Sequence, residues 1–310
     1  MPGYIYKFFV IIFVLCGFVC SELQEGIYFS RKGDDGFWSI YFCCLEDKDI
    51  TSVLSGTNHD YGTPSPSPDG KYLAFTTNKR GRYDLVYYAF DKKNEWKYIT
   101  SLANNSHPTW SADSTKIAYV STRNQKTEIF VYDILTQKEH SITNSFATAG
   151  QPSWHHKQQK IAFCGNRSIA AYDGRNDIFV FDFKSKNYTR ITPGNDLIKE
   201  SHPVWRFDGA LLFDQANIEY IGGMPMAKDS SIMVSEKSKI SILANGTQFY
   251  SYPATIPQTE NFVFLRHEAN FRFSIVYYES DRFITELTFG HTDRTPRFGY
   301  YSLQKTSDLK

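Results

Sequence analysis

Apolar and polar residues alternate in short runs along the whole chain, and one run recurs. SPDGKYLAF at Ser67–Phe75 returns 44 residues later as SADSTKIAY and 44 after that as HHKQQKIAF. The polar half decays from copy to copy while the apolar end is kept. A proline stands eleven residues before the closing aromatic in Pro64–Phe75, Pro108–Tyr119, Pro152–Phe163 and Pro253–Phe264, and ten before it in Pro203–Phe213. Pro296, in RTPRFGYYS, begins a further copy that the C-terminus cuts short. A self-similar period of this length decides the fold before any other consideration.

Each unit has the same internal order. A short strand follows the proline (PTW, PSW, PVW), then a polar turn, then an alternating strand (KYLAF, KIAY, KIAF). A second turn leads to DLVYY, EIFVY or DIFVF, and a last short strand ends near Ile-Thr. Alternation rich in β-branched and aromatic residues, punctuated by Gly, Pro, Asp and Asn, predicts strands, with no helical period anywhere. Each unit is therefore a four-stranded meander. Such a sheet alone has two exposed faces and two open edges, and repetition around an axis buries the faces against neighbours. The N-terminal unit reads GIYFS, SIYFCC, DITSV, which supplies second, third and fourth strands without a first; Pro296–Ser302 would supply the missing one. The expected fold is all-β, a six-bladed β-propeller over residues 22–302 with blade 1 closed by the N- and C-terminal strands, followed by a tail at 303–310.

The stretches PSPSPDGKYLAF, PTWSADSTKIAYVSTR and PSWHHKQQKIAF resemble the repeats of the TolB β-propeller family, whose unit reads roughly P-x-W-S-P-D-G-x-x-I-A-F. The resemblance covers about residues 26–302 and is strongest in units two to four. It implies a propeller of the periplasm or the extracellular space that binds partner proteins. The expected unit is the propeller alone, without the α/β domain that precedes it in TolB.

Composition narrows the picture. With 41% hydrophobic and 16% aromatic residues the chain can bury a large core, and 34 Lys plus Arg against 33 Asp plus Glu give no global field to hold a phosphate backbone. Nucleic acid is not an expected partner. Residues 1–21 carry Lys7 and then thirteen apolar residues, Phe8 to Cys20, too short for a bilayer crossing and suited to a secretory signal cleaved before Glu22. No stable membrane span is expected after cleavage, and a secreted or periplasmic location and a monomeric state are. Cys43, Cys44 and Cys164 remain; the first two lie on blade 1 and the third on blade 4, opposite each other, so free thiols are expected. Sequons stand at Asn104, Asn166, Asn187 and Asn245.

The residue before each repeat proline should ring the mouth of the central channel: Thr63, His107, Gln151, His202, Tyr252 and Thr295. His59 and His291 stand five positions before Pro64 and Pro296, on loops entering the same face. Imidazole is the commonest transition-metal ligand, so the four histidines with Gln151 are candidates for a metal or proton-transfer site; the alternative is a set of well-capped loop ends. The turns between second and third strands are basic, with Arg31, Arg80 and Arg123 among them, either as a collar for an acidic partner or paired with neighbouring carboxylates. Blade 5 carries an inserted IEYIGGMPMAKDSS loop, a partner-binding flap or a surface insertion. Signature motifs of hydrolases, zincins and phosphate-binding loops are absent.

Two functions follow as expectations. One is a non-catalytic scaffold that binds a protein or an anionic glycan through the mouth face, using His59, His107, Gln151, His202, Tyr252, His291, Arg31, Arg80 and Arg123, with no cofactor. The other is an enzyme resembling metal-dependent oligogalacturonate lyases, with the histidines and Gln151 as ligands or bases. A hydrolase-gating propeller separated from its hydrolase is a third, non-catalytic reading.

Overall fold

The computed structural model describes residues 23–302 apart from 93–94, 100–102, 124, 168–175, 196, 247, 269, 271, 280–283 and 289–291. The secretory signal read at 1–21, the tail at 303–310 and His291 lie outside the described residues. No α-helix occurs among those described, and so none long and apolar enough to cross a membrane.

The strands run antiparallel in sequence order. The first group is β1 (Leu23–Lys32), β2 (Trp38–Cys44) and β3 (Ile50–Leu54), with β24 (Arg294–Ser302) paired to the other edge of β1. The next is β4 (Tyr61–Pro66), β5 (Tyr72–Thr77), β6 (Asp84–Ala89) and β7 (Lys97–Ile99). Then come β8 (Asn104–Trp110), β9 (Lys116–Arg123), β10 (Lys126–Asp133) and β11 (Glu139–Ser141), and β12 (Thr148–Trp154), β13 (Lys160–Asn166), β14 (Asp177–Asp182) and β15 (Asn187–Arg190). The last two groups are β16 (Ile198–Trp205), β17 (Leu211–Ile221), β18 (Met224–Glu236) and β19 (Lys239–Ala244), and β20 (Tyr250–Thr255), β21 (Phe262–His267), β22 (Phe273–Tyr278) and β23 (Ile284–Glu286). The third and fourth meanders are joined by one parallel bridge, Thr127 to Thr148, where the long β10 reaches the start of β12.

Strand alternation explains which part of the repeat is kept. In KYLAF, Leu73 and Phe75 pack with Tyr28, Phe42 and Val53 of the preceding meander, whereas Ala74 points the other way to Ile117 and Tyr119 of the next. The same split recurs for Ile161 and Phe163 against Ala162. Every buried cluster thus lies between two meanders, and one, with Ile27, Phe29, Val263 and Leu265, joins the last to the first. Burying each of these large side chains stabilises the fold by about 1.5–3 kcal/mol, which is why this end of the motif does not drift. First strands also lie side by side: β4 against β8, β8 against β12, β12 against β16, β16 against β20, β20 against β24, and β24 against β4.

The polar end drifts because its role is local. Asp69 accepts hydrogen bonds from the Ser67 hydroxyl (2.6 Å) and the Lys71 amide (3.1 Å), and Asp113 does the same for Ser111 and Thr115. In the third copy the His155 Nδ1 accepts from the Lys157 and Gln158 amides instead, at 3.0 and 3.1 Å. Different residues close the same hairpin.

Candidate functional site

All six pre-proline residues have a left-handed backbone: φ is 45° at Thr63, 51° at His107, 53° at Gln151, 50° at His202, 52° at Tyr252 and 51° at Thr295. For residues with a Cβ this conformation costs about 1–2 kcal/mol each. The following proline has no N–H to give the ladder, and pairing with the second strand skips at this point, between Gly62 and Ser65, Ser106 and Thr109, Gly150 and Ser153, Ser201 and Val204, and Ser251 and Ala254. Each first strand therefore bulges where it enters the molecule, on the end here called the mouth face.

One contact recurs around this ring. The pre-proline side chain reaches the second-strand residue that follows the buried aromatic of its own meander: Thr63 Oγ1 to Thr76 Oγ1 at 3.0 Å, Gln151 Oε1 from Cys164 Sγ at 3.0 Å, and His202 Nδ1 to Asp214 Oδ1 at 2.6 Å. Thr295 and Ser30, which follows Phe29, make the equivalent contact at 3.4 Å. In the two remaining meanders the corresponding residues are Val120 and Leu265, which offer no polar atom.

The best-connected stretch is Cys164–Gln151–His202–Asp214. Gln151 Oε1 accepts from the Cys164 thiol and from the His202 amide (2.9 Å), which leaves its side-chain nitrogen to donate to His202 Nε2 at 2.6 Å. His202 then carries its proton on Nδ1 and donates it to Asp214, which also accepts the Tyr252 amide at 3.1 Å. The Tyr252 ring lies on the imidazole, with centroids 3.4 Å apart. Sulfur, imidazole and carboxylate superficially suggest a nucleophilic triad. The chemistry argues otherwise: burial pushes the Cys164 thiol up to about 12, so it stays protonated, and the imidazole nitrogen that would activate it is held by Gln151. The arrangement is a rigid polar brace across three meanders.

His107 is the counterexample. Its Nδ1 bonds to Ser106 Oγ at 2.9 Å, because Val120 stands where Asp214 takes the His202 Nδ1, and its buried Nε2 has no partner, because Thr63, in the place of Gln151, bonds to Thr76 instead. Burial, with the charges of His202 and Arg297 nearby, lowers its pKa to about 3, so the ring is neutral. It borders two cavities, one of about 290 Å³ with Thr63, Tyr252, Arg294 and Thr295, the other of about 260 Å³ with Gln151, Cys164 and Thr148.

The other sequence candidates are dispersed. His59 bonds to Asn58 and to the Tyr61 hydroxyl (2.7 Å), not to the pre-proline ring. Arg31 makes a two-pronged ion pair with buried Asp293 (2.6 and 3.0 Å), which clamps the end of β1 to the start of β24. Arg80 pairs with Asp84, and Arg123 with Glu139. Each of these guanidinium groups has a carboxylate beside it. The insertion in the fifth meander is not an open loop: β17 and β18 pair as far as Ile221 and Met224, turning through Gly222 and Gly223 at φ 60° and 80°, the two-residue geometry that glycine favours. The hairpin extends past the start of β16 on the mouth face, with Tyr220, Ile221, Met224 and Met226 exposed.

Among the described residues no three or more His, Cys, Asp or Glu side chains are grouped so as to hold a metal ion. The pre-proline residues alone do not reveal Asp214, Cys164 or Arg297. Asp214 and Cys164 were findable by the same alignment, one place after the repeat aromatic; Arg297, one place after the last repeat proline, was also within it.

A chain of antiparallel four-stranded meanders packed face to face, with bulged first strands lining common cavities, defines a β-propeller. Residues 82–300 match the TolB β-propeller domain family, and the chain belongs to that family. Among solved structures it is similar to TolB from Acinetobacter baumannii, with 17% identity and a TM-score of 0.70 over 89% of this chain and 66% of that one. The structure of a putative TolB from Agrobacterium tumefaciens matches at 15% identity and a TM-score of 0.66, over 91% of this chain and 100% of the other. An oligogalacturonate lyase in complex with manganese matches at 16% identity and a TM-score of 0.51, over 78% and 68%. No curated protein matches the chain.

Proposed function

We propose that this protein is a secreted or periplasmic six-bladed propeller whose ring is closed by β24 beside β1, and that it serves as a non-catalytic scaffold binding a protein or an anionic glycan through its mouth face. Closure is supported by the pairing of Leu23 through Ser30 with Ser302 through Arg294, the Arg31–Asp293 clamp and the cluster linking the last meander to the first. The observation that carries the binding role is the pre-proline ring: the His202 imidazole and the Cys164 thiol beside it are consumed by internal hydrogen bonds, while open cavities of about 290 and 260 Å³ flank it on the same face. Pockets near 300 Å³ suit an inserted side chain or a sugar unit. The exposed Tyr220–Met226 hairpin adds an apolar, adaptable contact beside them. The secretory signal at 1–21 remains part of this proposal.

The test is site-specific photocrosslinking in the native host from Thr63, Tyr220 and Arg294 on the mouth face and from Lys71 and Lys138 on hairpins at the other end. The reading expects one discrete adduct from the mouth positions, whose purified partner loses at least tenfold in affinity with Thr63→Lys. Equal labelling from both ends, or turnover of a substrate by the purified protein, would overturn it.

A further inference from the structure

The residue after each repeat proline forms a second ring, deeper than the first: Ser65, Thr109, Ser153, Val204, Ala254 and Arg297. All six border one cavity of about 310 Å³, to which β4, β8, β12, β16, β20 and β24 each contribute. Five of these side chains are short, so the space beside the sixth is left open. Arg297 has no carboxylate partner among the described residues. Among the described residues its one hydrogen bond runs from Nη1 to the carbonyl of its own neighbour Pro296, at 3.0 Å, out of five N–H donors. Paired guanidinium groups are the rule elsewhere in this molecule, at Arg31, Arg80, Arg123, Arg190, Arg206 and Arg266.

An unpaired cation in a confined cavity costs free energy unless a counter-charge arrives. Burial lowers the Arg297 pKa, with only the Tyr252 hydroxyl opposing that shift, which is the sign of a charge held away from water. The other titratable group on the cavity wall, His156, is pushed toward its neutral form by burial, so the guanidinium is the only full positive charge there. One planar, single-charged fork matches a carboxylate in two parallel hydrogen bonds, whereas a doubly charged phosphate would remain half neutralised. Ser65, Thr109 and Ser153 add hydroxyls on the same wall.

We infer that the cavity around Arg297 is a binding site for a carboxylate, separate from the mouth-face site. The group is supplied by a free small carboxylic acid or by the terminus of an inserted peptide.

Thermal unfolding of the purified protein at fixed ionic strength tests this. The probes are sodium propionate, acetyl-triglycine as the free acid, and acetyl-triglycine amide, each against potassium chloride. Tm should rise saturably with propionate, with the peptide acid, or with both, and not with the amide or chloride; propionate acting alone identifies a small-molecule site, the peptide acid acting alone a peptide terminus. In Arg297→Met the response should vanish while the unliganded Tm rises by about 2–4 °C, because an unpaired, partly buried charge is gone. Thr109→Asp supplies a carboxylate from within, and keeps an acceptor for the Trp154 amide that Thr109 Oγ1 now accepts at 3.4 Å. It should raise Tm and abolish the propionate and peptide responses. No carboxylate-specific shift, an undiminished shift in Arg297→Met, or a lowered Tm in Thr109→Asp overturns the inference.

Discussion

His107 and His202 occupy the same place in two repeats: each lies between a serine and a proline, with φ of 51° and 50°. Their surroundings differ at two repeat positions, the residue after the buried aromatic of the same meander and the pre-proline residue of the preceding one. Asp214 takes the Nδ1 proton of His202 and Gln151 takes its Nε2, so that ring is fixed in tautomer and orientation. For His107 those two places hold Val120 and Thr63, neither of which bonds to it, and its Nε2 is left bare between two cavities. The repeat dictates the backbone, and the residues at these two positions decide whether the side chain is a brace or part of an open surface.

The largest effect is expected at the brace. Asp214→Val copies the His107 environment into the fifth meander and strands two donors, the His202 Nδ1–H and the Tyr252 amide. Leaving buried donors unmade costs about 1–3 kcal/mol each, so urea unfolding should show a loss of about 2–6 kcal/mol. A loss under 1 kcal/mol would mean that water replaces Asp214 and that the brace is not structural.

A second effect concerns the same strand. Glu200, two residues before His202, is 3% exposed, and its Oε2 has no partner. Burial, with Asp177 nearby, raises its pKa from 4.5 to about 7. The folded state therefore binds a proton that the unfolded state releases. The stability tied to Glu200 is full below about pH 4.5 and is lost as pH rises through about 7. Glu200→Gln should gain about 2–3 kcal/mol over the native protein at pH 8 and nothing at pH 4, read from unfolding curves at the two pH values. A gain independent of pH would contradict this assignment.

Going the other way, Val120→Thr gives His107 the hydroxyl that Thr76 gives Thr63, at nearly unchanged volume. The new hydrogen bond should be worth about 0.5–1 kcal/mol, measured in the same urea experiment; a loss would show that the His107 ring does not face Val120. The smallest effect is expected for replacing Ile218–Ala227 by a two-residue Asn-Gly turn, since Tyr220, Ile221, Met224 and Met226 are exposed. Tm should move by about 2 °C or less, and a larger fall would make the hairpin part of the fold rather than a contact surface.

Much of this architecture was legible in the chain. The proline-to-aromatic spacing announced strands and meanders, because packing between sheets leaves direct marks on sequence. The ring of pre-proline residues was legible for the same reason. Its wiring was not, because a hydrogen bond between Gln151 and His202 joins positions 51 residues apart and leaves no periodic trace. The basic turns left a collar and local pairing both open; the Arg80 partner Asp84 stands beside it in the chain, whereas the Arg31 partner Asp293 stands 262 residues away. The GGMPM segment read as a loop because its strands carry exposed apolar residues on a hairpin with little to pack against.

The difference between the two histidines can be measured directly in protein labelled with 15N-histidine, by following both ring nitrogens of each as pH is lowered. A pKa depressed from 6.5 to about 3 at His107 means that the unfolded state takes up a proton first. Stability linked to this ring is thus full above pH 6.5 and declines as pH falls toward 3. The account predicts that His107 shows no protonation down to about pH 4, while His202 at neutral pH shows a single tautomer with its proton on Nδ1. Protonation of His107 near pH 6.5, or exchange between tautomers at His202, would contradict it.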